Sequence, residues 1–197
     1  LISPRRWGKS SLVYHVANKF KGNSSYRFCF IDLFSIVNES DFYKEYARQI
    51  LINTGSHLNE WTRNAKKFLS RFVPRITIGQ GGNEMFDLNL SYQDSSNDAS
   101  EILDLGEKIS KEKKITLVIC IDEFQNIERF KNPLDFQQKL RSFWQKHQHV
   151  VYCLYGSRKH MLTVMFNKSS KPFFHFGDVI YLEKINSLEF EKFIKDS

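Results

Sequence analysis

The segment that decides the fold is LISPRRWGKSSL, residues 1–12. Its first two residues are typical of the end of a strand, and a loop then leads to Gly8. From Lys9 to Phe20 the apolar residues recur at helical spacing, which predicts a helix. A loop between a strand end and a helix start suits a phosphate, because its N–H groups and the helix dipole both favour an anion.

The residue types of this loop fit a nucleotide. We predict that Lys9 reaches the β- and γ-phosphates and that the hydroxyl of Ser10 ligates Mg²⁺. The usual pattern begins with glycine, and Ser3 stands in its place here. Trp7 either packs on the sheet edge or shields the phosphates, and Arg6 either adds charge there or pairs with an acid. The predicted nucleotide contacts are Pro4, Arg5, Arg6, Trp7, Gly8, Lys9, Ser10 and Ser11. The simpler alternative is a basic turn without a ligand.

A second motif lies about 110 residues downstream, where the apolar run ITLVICI (residues 115–121) is followed by Asp122 and Glu123. The run predicts a buried strand, and an acid at its tip needs a reason to be there. We predict that Asp122 holds the Mg²⁺ through water and that Glu123 is the general base that polarises the attacking water. The alternative is an acid pair that caps the following turn.

The third motif, Gly156-Ser157-Arg158, follows a predicted strand at residues 150–155. In a parallel α/β sheet, ligands bind beyond the carboxyl ends of the strands, so all three motifs are expected at one edge. There Ser157 senses the γ-phosphate by hydrogen bond and Arg158 by charge. The alternative is a glycine turn with a solvated arginine.

The rest of the chain alternates strands with helices, which predicts an α/β fold with three layers and a mostly parallel sheet. The further predicted strands are residues 26–34 and 178–182. The predicted helices are residues 41–54, 58–72, 98–111 and 133–146, a short helix near residues 161–165, and a last helix capped by Ser187. Residues 74–92 predict an inserted β-hairpin, whose apolar face at residues 75–92 either packs on the domain or meets a protein partner.

Composition and charge narrow the class of protein. The chain has 197 residues and a net charge of +7, and no apolar run approaches the length of a membrane span. Residues 129–172 hold nine basic residues and one acid. Three cysteines in strand-like runs favour free thiols in a reducing cytoplasm. Because the chain lacks an initial Met and stops inside a helical pattern, we expect residues 1–197 to be a fragment of a longer protein.

The motifs SPRRWGKSSL, VICIDEFQ and LYGSR together resemble the archaeal-type ATPases of the AAA-like and STAND lineage of P-loop proteins. The resemblance covers most of the chain. It implies a P-loop core of the additional-strand type, with a further strand between the P-loop strand and the Walker-B strand. It also implies ATP with Mg²⁺, a γ-phosphate contact for Arg158, and a C-terminal lid that is absent from this chain.

Three functions follow from these observations. The first is an ATP-driven conformational switch with slow hydrolysis. The second is a DNA-associated ATPase, which contacts DNA through residues 129–172 or a region beyond residue 197. The third is a scaffold that binds nucleotide without turnover, and the intact pair Asp122-Glu123 argues against it.

Overall fold

The core of the molecule is a parallel sheet of three strands. The computed structural model describes residues 1–55 and 96–195. The strands are β1 (Tyr26–Asp32), β2 (Thr116–Asp122) and β3 (Val150–Leu154), in the order β1-β2-β3. In register, Ile31 lies beside Ile121 and Ile121 beside Leu154. The continuous apolar runs of the sequence fit this arrangement, because a parallel sheet is buried on both faces.

The sheet continues past β3 through single residues. Ile2 forms parallel bridges with Gly156 on one side and with Tyr181 on the other. Its N–H donates to the carbonyl of Ile180 at 2.8 Å, and its carbonyl accepts from the N–H of Leu182 at 3.0 Å. Strand β3 and the residues that follow it to Gly156 therefore lie between two neighbours. One neighbour is Ile2, which leads into the loop, and the other is β2, which ends at Asp122. This order confirms the predicted additional-strand arrangement.

Helices cover the two faces of the sheet and complete three layers. On one face Val13 of α1 packs with Cys120 and Tyr155. On the other face an aromatic core forms, in which Phe42 meets Phe136 edge-on at 5.1 Å. The helices are α1 (Lys9–Lys19), α2 (Glu39–Thr54), α3 (Ser96–Lys113), α4 (Pro133–Trp144), α5 (Lys159–Asn167) and α6 (Ser187–Lys195), with a 3₁₀ helix at Phe124–Arg129. The predicted three-layer α/β class is confirmed.

Three local predictions differ from the structure or fall outside it. The strand predicted at residues 178–182 is reduced to the bridge at Tyr181, because its partner contributes only Ile2 before the chain turns into the loop. The last helix is capped by Asn186 and not by Ser187, since the side-chain oxygen of Asn186 accepts from the N–H of Leu188 at 2.9 Å. The predicted helix at residues 58–72 and the hairpin at 75–92 lie outside the described residues.

The described residues were also compared with the requirements for a membrane-spanning helix, a disulfide and a metal site. Among its helices, none is both long and apolar enough to cross a membrane. All three cysteines are free thiols, with Cys29 and Cys120 buried and Cys153 half-buried. Within the same residues no group of three or more His, Cys, Asp or Glu side chains could hold a metal ion.

Candidate active site

The loop before α1 is held in an unusual backbone conformation. Gly8, at the N-cap of α1, has φ 79°, and Arg6 has φ 64°. A side chain at Gly8 would meet no atom within 4 Å, so the requirement for glycine there comes from the left-handed backbone and not from space. The Gly8 carbonyl accepts the first helical bond from the N–H of Leu12 at 2.8 Å. Two left-handed residues in one short loop thus set its path into the helix.

Lys9 turns back into this loop. Only 6% of the residue is exposed, and its Nζ donates to the carbonyls of Ser3 at 2.9 Å and Pro4 at 2.8 Å. Burial lowers the pKa of the ammonium, while the negative charges of Glu123 and Asp122 oppose that shift. The ammonium therefore lies beside both acids and inside the loop that would surround a phosphate.

Ser10 joins the loop to the end of β2. Its hydroxyl donates to Oδ2 of Asp122 at 2.7 Å, and Oδ1 of Asp122 accepts from the N–H of Glu123 at 2.7 Å. Burial raises the pKa of Asp122, which the two hydrogen bonds only partly offset. A hydroxyl in contact with a half-buried carboxylate is a hard oxygen pair of the kind Mg²⁺ prefers, so these residues fit the metal that the resemblance implies.

Glu123 occupies a strained position directly after β2. Its backbone has φ 50° and ψ 40°, a left-handed conformation that non-glycine residues adopt mainly where the surrounding structure imposes it. Gln125 Nε2 and Ser157 Oγ both donate to Oε2 of Glu123, the second at 2.9 Å. Burial alone would raise the pKa of Glu123, but these donors outweigh burial and lower it below its ordinary value. The carboxylate is thus ionised at neutral pH and able to accept a proton.

Ser157 connects Glu123 to the loop from the next strand. Besides donating to Glu123, its Oγ lies 3.5 Å from Nε of Arg5, which donates to it. Position 156 is tightly packed, because a β-carbon there would lie 2.0 Å from Oε1 of Gln125 and would force that amide to move. The three motifs therefore meet at the carboxyl edge of the sheet, as their positions after strands predicted.

Arg158 and the other loop residues lie further from the acids. Arg158 is exposed at the start of α5, where its Nη1 donates to Sδ of Met161 at 3.7 Å. Its predicted contact with a γ-phosphate stays a prediction, since this arginine points along its own helix. Of the remaining predicted contacts, Trp7 is half-buried and the exposed residues are Pro4, Arg5, Arg6, Gly8 and Ser11.

Comparisons with known proteins were made by sequence and by structure. Neither a protein-family model nor a curated protein matches the sequence. Solved structures match across nearly the whole chain. The Walker-type ATPase PABY2304 of Pyrococcus abyssi superposes with a TM-score of 0.61 at 16% identity, covering 99% of this chain and 51% of that one. This chain shares the fold of that Walker-type ATPase.

Two further archaeal proteins share the Walker-type fold. Cdc6p of Pyrobaculum aerophilum gives a TM-score of 0.55 at 14% identity, covering 99% of this chain and 41% of that one. The ORC2 protein of Aeropyrum pernix, solved in ADPNP-ADP complexes, gives 0.59 at 15% identity, covering 98% of this chain and 43% of that one. This chain thus spans about half the length, or less, of these structures, and the likeness at such identities is one of fold.

Two residues at the candidate site were not predicted from the sequence. Gln125 lies in the motif DEFQ, but its position in the sequence indicated no role. Asp32 ends β1 and lies in register beside Asp122, where its negative charge helps to raise the pKa of Asp122 after burial and the charge of Glu123. The signal for Asp32 was available, because an acid at the end of an apolar strand was the feature that identified Asp122.

Proposed function

We propose that this chain is the ATP-binding core of a P-loop ATPase, which hydrolyses Mg-ATP slowly and couples binding and hydrolysis to a conformational switch in a larger protein. The observation that carries the proposal is the hydrogen bond between Ser10 of the loop and Asp122 of β2, beside a lowered-pKa Glu123. The sequence motifs support membership of the AAA-like and STAND lineage within this fold.

Each side chain then has a defined task. Lys9 exchanges the carbonyls of Ser3 and Pro4 for phosphate oxygens, and the N–H groups at the start of α1 complete the anion site. Ser10 and Asp122 hold Mg²⁺, which when bound neutralises charge on the phosphates. Glu123 accepts the proton of the attacking water.

Residues that sense the γ-phosphate lie at the start of α5. Ser157 is placed to report on it because its hydroxyl already reaches Glu123 at 2.9 Å. Arg158 is the charged candidate for the same task, and reaching the phosphate requires a change of side-chain conformer. Movement of these residues on hydrolysis would be passed to α5 and to parts of the protein outside the described core.

Glu123→Gln tests the enzymatic part of the proposal. The substitution keeps size and hydrogen-bonding capacity but cannot accept a proton at neutral pH. We expect ATP binding to be retained and turnover to fall at least about tenfold, since a positioned base contributes about 10²–10⁴. Glu128→Gln, in the 3₁₀ helix, is the control. Wild-type turnover in Glu123→Gln would remove Glu123 from this role, and absence of turnover in the wild type would favour the nucleotide-binding scaffold.

A DNA-associated ATPase is the second candidate, favoured by the nine basic residues of segment 129–172. Two of these basic side chains already form hydrogen bonds or ion pairs within the protein. Arg141 donates to the carbonyls of Pro172 and Phe174, and Lys171 pairs with Glu128 at 3.2 Å. The exposed cations outside these contacts that remain for DNA are Arg129, Lys131, Lys146, Arg158, Lys159 and Lys168.

A further inference from the structure

Gln125 is a buried polar residue whose side chain contacts Glu123. Only 1% of the residue is exposed. Its Nε2 donates to Oε2 of Glu123, whereas its Oε1 finds no hydrogen-bond partner among the described residues. The reverse orientation of the amide would set an oxygen acceptor against the carboxylate, so the contact with Glu123 fixes which way the amide points. A buried amide oxygen without a partner is unfavourable, and it persists here because the other end of the group is engaged.

Gly156 leaves the space that the amide of Gln125 occupies. A β-carbon at position 156 would lie 2.0 Å from Oε1 of Gln125 and 3.2 Å from Cδ1 of Leu162. Any larger residue would therefore force the amide to shift from the position in which it donates to Glu123. The small size of Gly156 thus makes room for the side chain of Gln125, although the two residues follow different strands.

Two side chains and one backbone group donate to the same oxygen of Glu123, and the backbone group is the N–H of Ser157 at 3.4 Å. Ser157 Oγ donates to Oε2 at 2.9 Å, and Gln125 Nε2 donates to it from the other strand end. In the described part of the chain, Oε1 of Glu123 accepts no hydrogen bond from a protein group. One carboxylate oxygen is thus anchored while the second is left for another proton donor.

We propose that Gln125 is a positioning residue for ATP hydrolysis: seated against Gly156, its amide holds Oε2 of Glu123 so that Oε1 accepts the proton of the attacking water. This inference presupposes the ATPase function proposed above. In the step it serves, the water oxygen bonds to the γ-phosphorus while the bond from that phosphorus to the β,γ-bridging oxygen breaks. The electron pair of the broken bond leaves with ADP, and the proton of the water passes to Glu123.

Gln125 and Ser157 differ in what they can do once nucleotide is bound. The single hydroxyl hydrogen of Ser157 cannot donate to Glu123 and to a γ-phosphate at the same time. The amide of Gln125 is buried and has no such competing acceptor in the described residues. Gln125 is therefore the side-chain donor that stays on Glu123 throughout the reaction, beside the weaker backbone contact from the N–H of Ser157 at 3.4 Å.

The contact also has an electrostatic consequence that can be measured. Burial raises the pKa of Glu123, and the side-chain hydrogen bond from Gln125 is the first of the contacts that lower it, followed by those from Ser157. Without the amide, we expect the pKa of Glu123 to rise, because hydrogen bonds to the charged form favour that form. The acid limb of the kcat profile then moves to higher pH.

Gln125→Met in the full natural chain tests the proposal. It keeps the shape of the side chain and removes the N–H donor. We expect unchanged ATP affinity, a kcat at least about tenfold lower, and an acid limb shifted to higher pH. Gln137→Met is the matched control, because Gln137 is also fully buried, donates from Nε2 to Glu128 at 3.1 Å and leaves its Oε1 without a partner among the described residues. The control should change neither kcat nor the profile.

A second variant and an NMR titration test the same contact independently. Gly156→Ala retains Gln125 but crowds its amide, so we expect the same fall in kcat and the same upward shift of the acid limb. It is the second test in case Gln125→Met does not fold. A ¹³C NMR titration of the Glu123 carboxyl in nucleotide-free protein should show the upward pKa shift in both variants. An unchanged Glu123 pKa in a folded variant, or wild-type kcat with a wild-type acid limb, would overturn the proposal. Absence of ATP hydrolysis in the wild type would refute the proposed function instead, and the titration would still decide whether Gln125 holds Glu123.

Discussion

The hydroxyl of Ser10 lies 2.7 Å from Oδ2 of Asp122, and this contact joins the first residues of the chain to the end of a strand more than 100 residues away. The hydroxyl belongs to the first turn of α1, and the carboxylate ends β2. Both are oxygen groups of the kind that Mg²⁺ binds, and the negative charge of Asp122 acts on the ammonium of Lys9. A single metal ion at this contact would bring loop, strand and nucleotide together.

Ser10→Ala should weaken the response of the protein to Mg²⁺. The substitution removes one of the two proposed ligands, so we expect the Mg²⁺ concentration for half-maximal hydrolysis to rise at least about tenfold. Titration of Mg²⁺ at saturating ATP measures this. Ser24→Ala is the control, because Ser24 is an exposed serine in the turn between α1 and β1. Equal Mg²⁺ requirements in the two variants would argue against Ser10 as a ligand.

Asp122→Asn should stabilise the metal-free protein at neutral pH. Burial raises the pKa of Asp122, so the ionised carboxylate is less favourable in the folded state than in the unfolded state. This penalty is absent below the unfolded pKa of about 3.9 and grows as pH rises toward the folded pKa. We therefore expect a higher Tm for the variant at pH 7 without Mg²⁺ and no difference near pH 3. A lower Tm at pH 7 would contradict this sign.

Glu107 should contribute to stability with the opposite dependence on pH. Burial would raise its pKa, but hydrogen bonds from His149 Nδ1 at 2.7 Å and from the N–H groups of His149 and Gln148 lower it. Its stabilising contribution is present above the unfolded pKa of about 4.3 and is lost as pH falls through the folded pKa. Glu107→Gln should cost about 1 kcal/mol at pH 7 and nothing at strongly acidic pH. Denaturant unfolding at both pH values, with Glu101→Gln as control on α3, measures the difference.

The DNA-associated alternative makes a separate prediction. If the exposed cations of segment 129–172 contact DNA phosphates, binding should weaken steeply with salt, with a slope of about −0.9 per contact. Lys131→Ala and Lys168→Ala should then each reduce the slope by about one contact. Lys171→Ala, which removes a residue paired with Glu128, is a control. Binding that is absent or insensitive to salt would reject this alternative.

The convergence of the motifs could be predicted from sequence because its causes are local. Helical periodicity after Lys9 and the apolar run before Asp122 define a helix start and a strand end. Parallel strands then bring their carboxyl ends to one edge. The contact of Gln125 with Gly156 could not be predicted, because it depends on two side-chain positions from different strand ends. The orientation of Arg158 was unpredictable for the same reason, since an exposed arginine is fixed by its neighbours.

Errors at the carboxyl end of the described chain have equally physical causes. The residues around Tyr181 have the composition of a strand, but a ladder also needs a partner, and only Ile2 supplies one. Asn186 and Ser187 are both good capping residues. The choice between them depends on where the chain leaves the sheet, which local sequence does not specify.

Equilibrium binding of ATP to Lys9→Ala, compared with the wild type, tests the central claim most directly. Lys9 is buried in the loop on the carbonyls of Ser3 and Pro4, so its loss should leave the phosphates without their principal cation. Lys19→Ala, at the exposed end of α1, is the control and should bind normally. We predict that Lys9→Ala shows no ATP binding at concentrations that saturate the wild type. Unchanged ATP affinity in a folded Lys9→Ala protein would contradict the assignment of residues 1–12 as a phosphate loop.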